Sequence, residues 1–117
     1  DIEIWGDGEQ TRSFTYIDDC LEGTLRLMWS DASMPLNIGS DELVSINTLV
    51  DIAESVAGVN LERRYVLDAP KGVRGRNSDN TLVQQVLDWS PSTPLASGMR
   101  ETYLWVEEQV RRALSES

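Results

Sequence analysis

Apolar and polar residues follow two different periods along this chain, and the first period predicts strands. The segment Ile2–Trp5 alternates with a period of two, which is typical of a half-buried strand. Gly6-Asp7-Gly8 is a tight-turn sequence, and residues 10–17 alternate again. We therefore expect these two segments to pair as a hairpin. A further strand is predicted over residues 61–67, and a short extended piece over residues 35–38.

The helical period predicts four helices, near residues 18–29, 46–57, 79–87 and 95–113. Asp18 is the expected cap of the first helix, Ser45 caps the second, and Gly58 ends it. One apolar stripe of the first helix is expected to face the core, and it comprises Ile17, Leu21, Leu25 and Met28.

The order of these elements predicts one α/β unit over residues 1–117, with no repeat and no linker. The strands are too few for a doubly wound sheet. The glycine-rich G-x-G-x-x-G turn that binds dinucleotides is absent, since no helix is predicted directly after Gly6-Asp7-Gly8. The first residue is Asp1 rather than Met, so we expect either that a segment was removed or that the chain is part of a longer protein.

Composition narrows the classes of function. The chain has 117 residues, 40% of them hydrophobic and 26% charged, as in ordinary globular domains. Twenty acidic residues against ten basic ones give a net charge of -10, which argues against nucleic acid and anionic membranes as partners. The absence of histidine excludes a Ser-His-Asp triad and any His-ligated metal. The single cysteine, Cys20, is expected to be a small buried residue, and a reducing cytoplasm is the expected compartment.

Positive charge is concentrated in one stretch of the chain, between residues 63 and 76. Half of the ten basic residues lie there, opposed only by Asp68, and they are Arg63, Arg64, Lys71, Arg74 and Arg76. Such a concentration indicates an anion site, because arginine donates two parallel hydrogen bonds to a phosphate. We expect Arg63 and Arg64 to be surface residues of a strand with no role in binding. The favoured functional residue is Arg76, in a loop over residues 69–77.

A second candidate site is Gln10-Thr11-Arg12, a polar triplet directly after the first turn. Its arginine would suit a phosphate or a sugar. The neighbouring Trp5 is expected to pack into the core rather than to stack on a base. The acidic residues at the start of the first helix are interpreted as capping and helix-dipole partners, not as a catalytic pair; they are Asp18, Asp19 and Glu22.

Several sequence blocks resemble the C-terminal substrate domain of the NAD-dependent epimerase/dehydratases, which are extended short-chain dehydrogenase/reductases acting on nucleotide sugars. The blocks are residues 5–8, 10–14, 17–18, 37–40, 44–46 and 87–91. The block Arg74-Gly75-Arg76-Asn77-Ser78-Asp79-Asn80 is similar to that of epimerases acting on GDP-hexoses.

This resemblance implies a small α/β substrate domain without its Rossmann half. The implied parent is a homodimeric epimerase that transiently oxidises C4 of the hexose, so that C3 and C5 become acidic. NAD and the catalytic residues would belong to the missing N-terminal NAD-binding domain, so no catalytic, cofactor-binding or metal-binding residue is expected here. Gln10, Thr11 and Arg12 would hold the GDP-hexose from one side and Arg76 from the other.

Two alternatives remain open on the sequence. One is another epimerase or dehydratase of the same superfamily, acting on a different nucleotide sugar. The other is a binding or interaction domain that has kept the fold and lost the chemistry. A glycine-rich strand-turn-helix and a Tyr-x-x-x-Lys element upstream of Asp1 would favour an enzyme.

Overall fold

A computed structural model describes all 117 residues, which form a small α/β unit of four helices and five short strands. Each helix lies within two residues of its predicted bounds, and the strand expected over residues 61–67 is confirmed as a shorter one. The elements are, in chain order, β1 (Ile2–Trp5), β2 (Thr11–Arg12), α1 (Ile17–Met28), β3 (Val44–Ser45), α2 (Ile46–Ala57), β4 (Arg63–Val66), β5 (Gly75–Arg76), α3 (Thr81–Leu87) and α4 (Leu95–Ser115).

The predicted hairpin is wrong, because β1 and β2 belong to different sheets. β1 pairs in parallel with β4, while β2 lies between β3, which is antiparallel to it, and β5, which is parallel. The Gly6 amide donates to the Val66 carbonyl at 2.8 Å and so continues the β1–β4 ladder beyond Trp5. The chain then turns away from β1, and only Thr11 and Arg12 of the expected second strand are extended in a ladder.

The segment between β1 and β2 is held on the N-terminus of α2. The amide of Ile46 donates to the Gln10 carbonyl at 3.1 Å, and the amide of Asn47 donates to the Gly8 carbonyl at 2.9 Å. The Ser45 hydroxyl accepts from the Thr48 amide at 3.0 Å, which confirms the predicted cap. The first turn of α2 therefore has its amides satisfied, and both small sheets are fixed to one helix end.

Helix α1 begins one residue earlier than predicted, and Asp18 does not cap it. Tyr16 is the residue at the N-cap, and no side chain accepts a capping bond there. The side of α1 that packs inward is marked by Gly23, where a Cβ would lie 2.7 Å from the Trp89 ring and 2.9 Å from Ile38. The apolar stripe that was predicted to face the core is exposed instead.

The interior of this unit is small. Its buried hydrophobic residues are Ile4, Val50, Val83 and Leu95. The radius of gyration is 17.1 Å, against about 13 Å for a compact domain of this length. Trp5 and Cys20, both expected to be buried, are exposed because too few layers exist to cover them. Residues 35–38 form no strand, and their backbone groups make no hydrogen bond within the chain.

An ion-pair cluster fastens β4 to α2. The Arg63 guanidinium contacts Asp51 at 2.5 Å and Glu54 at 2.9 Å. The Leu61 amide also donates to Glu54, and this bond, followed by that from Arg63, lowers the pKa of the Glu54 carboxyl. Arg64 pairs with Glu3 on the neighbouring strand. Arg63 and Arg64 thus lie on a strand, as expected, and both are paired with acidic side chains.

Replacing Glu54 by glutamine should lower the free energy of unfolding at neutral pH and change it little at acid pH. A carboxyl whose pKa is lower in the folded state stabilises the fold above its unfolded pKa of about 4, and this contribution is lost as the pH falls through the folded value. Urea unfolding of Glu54→Gln and of the unchanged chain between about pH 3 and pH 7 measures the difference. It should shrink towards low pH; a difference that stays constant would contradict the assignment. Glu22→Gln, which breaks an exposed pair, should have a smaller effect.

Candidate functional site

The two candidate arginines, Arg12 and Arg76, are neighbours across the β2–β5 ladder. They are register partners in this parallel pair, as are Thr11 and Gly75. Partners on adjacent strands project from the same face of a sheet, and successive residues project from opposite faces. Arg12 and Arg76 therefore leave one face together, although 64 positions separate them in the sequence, whereas Thr11 leaves the other face.

Arg12 is half-buried and its guanidinium is already oriented by the backbone. One terminal nitrogen donates to the Thr11 carbonyl at 2.7 Å, and the other donates to the Lys71 carbonyl at 2.8 Å. A guanidinium has five N–H groups, so the remaining ones have no partner within the chain. The Arg76 side chain is exposed and makes no hydrogen bond or ion pair.

Gln10 lies inside the fold rather than on the face that carries the arginines. Its side-chain amide donates to the Trp5 carbonyl at 2.7 Å, and only 6% of the residue is exposed. Its side-chain oxygen is buried without a partner. Gln10 thus stabilises the turn between β1 and β2 through a hydrogen bond made inside the fold. A binding role for Gln10, Thr11, Arg12 and Arg76 stays a prediction.

The loop that precedes β5 brings two more basic residues, Lys71 and Arg74, close to β2. The Lys71 side chain lies over Gly6, where a Cβ would come within 2.5 Å of its Cδ. Arg74 pairs with Asp7 at 3.3 Å, and both side chains are exposed. The pKa of the Asp7 carboxyl is lowered, first by a hydrogen bond from the Glu9 amide and then by Arg74. The basic side chains left unpaired around this loop are therefore Lys71 and Arg76.

The residues present do not fit an NAD site. Dinucleotides bind with their pyrophosphate at a helix N-terminus that follows a glycine-rich turn. Here the Gly6–Gly8 turn leads into β2, and the first amides of α2 are already bonded to Gln10, Gly8 and Ser45. No group of three or more His, Cys, Asp or Glu side chains is arranged to hold a metal ion. None of the helices has the length and hydropathy to cross a membrane.

Comparison with known proteins finds relatives that align with almost the whole chain. It is 52% identical over 111 residues to GDP-mannose 3,5-epimerase 1 of Oryza sativa subsp. indica, and 50% identical over 111 residues to GDP-mannose 3,5-epimerase of Arabidopsis thaliana. Among solved structures, the UDP-glucose 4-epimerase of Thermotoga maritima, crystallised with UDP-glucose, superposes with a TM-score of 0.87 at 28% identity. No family model matches the chain.

These matches make 95% of the chain homologous to the C-terminal part of NAD-dependent epimerase/dehydratases of the extended short-chain dehydrogenase/reductase type. The 50–52% sequence identity of the chain to the GDP-mannose 3,5-epimerases exceeds the 36% that it shares with a dTDP-4-dehydro-6-deoxy-D-allose reductase of Streptomyces bikiniensis. The chain spans 29% of the rice enzyme and 36% of the Thermotoga chain. It corresponds to about a third of such proteins.

Gly75 permits the close approach of β2 and β5, and its role was not foreseen from the sequence. A Cβ at residue 75 would lie 2.5 Å from Thr11 Oγ1. An added methyl group therefore forces Thr11 into another χ1 rotamer or widens the gap between the strands, and the χ1 angle of a β-branched residue is restricted. Gly75 thus favours the close pairing that brings Arg12 beside Arg76 on the opposite face.

The substitution Gly75→Ala should destabilise the chain by about 1–3 kcal/mol, as other overpacking changes do. Removing the colliding hydroxyl with Thr11→Ala should restore most of that loss, since the next Thr11 atom is 3.9 Å from the added Cβ. A double-mutant cycle measured by urea unfolding gives the coupling energy. Additive losses from the two substitutions would show that Gly75 and Thr11 are not in close contact.

Proposed function

We propose that this chain is the nucleotide-sugar-binding part of an NAD-dependent sugar-nucleotide epimerase that converts GDP-mannose to GDP-L-galactose. The observation that carries the proposal is the register of β2 and β5, which sets Arg12 and Arg76 side by side on one face. The similarity to GDP-mannose 3,5-epimerases supports the substrate.

The proposed role of the two arginines is to hold the diphosphate of the substrate. A diphosphate presents several oxygens within a few ångström, and a guanidinium donates two parallel bonds to such a group. Arg12 is held in place by the Thr11 and Lys71 carbonyls, so it loses little side-chain freedom on binding. Arg76, which has no partner in the chain, is free to close on the ligand.

The charge distribution supports an anion at the corner formed by β2, β5 and the loop before β5. The chain as a whole carries a net charge of -10, which repels nucleotides. Three arginines of the stretch between residues 63 and 76 form ion pairs with nearby carboxylates. The pairs are Arg63 with Asp51 and Glu54, Arg64 with Glu3, and Arg74 with Asp7. Lys71 and Arg76 of that stretch have no acidic partner, and neither has Arg12 on β2. The one other basic residue without an ion pair, Arg100, stands alone on α4.

The rest of the activity is assigned to the N-terminal part of the parent protein. NAD, the catalytic residues and the dimer interface would belong to that part, because the residues of this chain offer no dinucleotide site. As a separate chain it would have no turnover of its own. The arginine pair fits any nucleoside diphosphate sugar, so the choice of GDP-mannose rests on the similarity to the epimerases alone.

In a chimera that joins the N-terminal part of the rice epimerase to this chain, Arg76→Ala should raise the KM for GDP-mannose about 30-fold or more. That factor corresponds to the lower end of the loss found when one partner of a buried, hydrogen-bonded charge pair is removed. The kcat should change much less, because the diphosphate lies away from the reacting carbons. Steady-state kinetics measures both.

Arg64→Ala is the matched control for this experiment. It removes the same charge from the same positive stretch, but Arg64 pairs with Glu3 on the other sheet. Its KM should stay within about threefold of the unchanged chimera, as is usual for an exposed ion pair. Equal KM values for Arg76→Ala and the unchanged chimera would remove Arg76 from the site.

A further inference from the structure

We propose that Gly72 is a positioning residue of the binding site, because it lets the loop before β5 hold the Arg12 guanidinium in the orientation that meets the ligand. The inference rests on the proposed function, since Gly72 acts only through Arg12. Gly72 lies between β4 and β5, and its backbone φ angle is +71°. Residues with a Cβ rarely adopt this left-handed conformation, so the loop favours glycine at this position.

The loop before β5 contacts β2 through two backbone carbonyls, one on either side of Gly72. The Lys71 carbonyl accepts a hydrogen bond from Arg12 Nη2 at 2.8 Å. The Arg74 carbonyl accepts one from the Thr11 amide at 2.9 Å. Only two residues separate these acceptors, so the backbone turns within them, and the positive φ of Gly72 provides that turn. The conformation of Gly72 therefore determines where the Lys71 carbonyl meets Arg12.

The missing side chain of Gly72 also leaves room for Arg12. A Cβ at residue 72 would lie 3.3 Å from Arg12 Nη2, which is closer than the optimal separation of non-bonded heavy atoms, about 3.5–4.0 Å. The guanidinium is planar and rigid, so moving Nη2 away also turns Nη1, which donates to the Thr11 carbonyl at 2.7 Å. An added methyl group therefore disturbs both hydrogen bonds that orient Arg12.

The orientation of Arg12 before binding affects how tightly the ligand binds. Arg12 is half-buried and held by two carbonyls, so its side chain is ordered before the ligand arrives. Ordering a long, flexible side chain at the moment of binding instead weakens affinity by about three- to tenfold. Because the substrate and the transition state would share the same contact to the diphosphate, this loss raises KM and leaves kcat unchanged.

Gly58 provides a control with the same backbone conformation. Its φ angle is +70°, and a Cβ there would meet no atom within 4 Å. Gly58 follows the C-terminus of α2, whereas the chain that leads into β2 is bonded to the N-terminus of that helix. Alanine at either position therefore has the same unfavourable φ, and only alanine at residue 72 contacts Arg12.

Steady-state kinetics of the chimera with the rice N-terminal part tests this inference. Gly72→Ala should have a KM for GDP-mannose about three- to tenfold above that of Gly58→Ala, with kcat values within about twofold of each other. In a chimera that also carries Arg12→Ala, the same substitution at residue 72 should have no further effect on KM. Equal KM values for Gly72→Ala and Gly58→Ala, or an effect that persists without Arg12, would overturn the inference.

Arginine side-chain NMR tests the positioning of Arg12 without any ligand. In the chimera grown with isotope-labelled arginine, the Arg12 signals are assigned by their loss in Arg12→Lys. They should shift, and their N–H groups should exchange faster with water, in Gly72→Ala but not in Gly58→Ala. Arg12 signals that are the same in Gly72→Ala and in the unchanged chimera would contradict the inference.

The kinetics of Arg12→Ala separates this inference from the proposed function on which it rests. If Arg12→Ala leaves the KM for GDP-mannose unchanged, the proposed diphosphate site is wrong and the inference fails with it. If Arg12→Ala raises the KM while Gly72→Ala matches Gly58→Ala, the site is supported and only the role of Gly72 is wrong.

Discussion

The structure depends on the way the carbonyls of Gly8 and Gln10 close the N-terminus of α2. Those two acceptors, together with the Ser45 hydroxyl, satisfy the first amides of the helix. They also fix the chain between β1 and β2 at two points. Because Thr11 and Arg12 follow Gln10 directly, the same bonds determine where β2 starts, and therefore which residues of β5 it meets. The arginine pair is in this sense a consequence of a helix cap.

A second constraint is the small amount of apolar surface that the unit buries on its own. Four hydrophobic residues are buried, while the apolar stripe of α1 and the groove beside α4 stay open. Such a unit has little stability to spare, since burial of apolar surface is the main favourable term in folding. Its ion pairs and caps then matter more than they would in a larger domain. The ion pairs of Arg63 with Glu54 and Asp51, for example, connect the β1–β4 sheet to α2.

The local parts of the fold could be predicted from the sequence, and the non-local parts could not. Helical periodicity, the Ser45 cap and the Gly58 end are properties of a few adjacent residues. The pairing of β1 with β4 joins residues about sixty positions apart, and no local sequence pattern near Ile2 predicts it. The tight-turn sequence after Trp5 instead favoured a hairpin. Likewise, periodicity identified the apolar side of α1 correctly, but it cannot say whether another part of the protein covers that side.

The candidate site was predictable in its residues but not in its arrangement. Charge clustering indicated Arg76, the polar triplet after the first turn indicated Arg12, and the resemblance to epimerases indicated both. Their common face follows only from the β2–β5 register. Gln10 was grouped with them because it is polar and adjacent, and the structure instead buries it beneath the turn. A polar residue in a binding motif can therefore stabilise the backbone beneath the site instead of contacting a ligand.

The most direct test of this account is a crystal structure of the chimera with GDP-mannose bound. The account predicts that the guanidinium groups of Arg12 and Arg76 both donate hydrogen bonds to the same diphosphate, with Arg12 still bonded to the Lys71 carbonyl. A diphosphate bound elsewhere on the protein, or held by neither arginine, would contradict it.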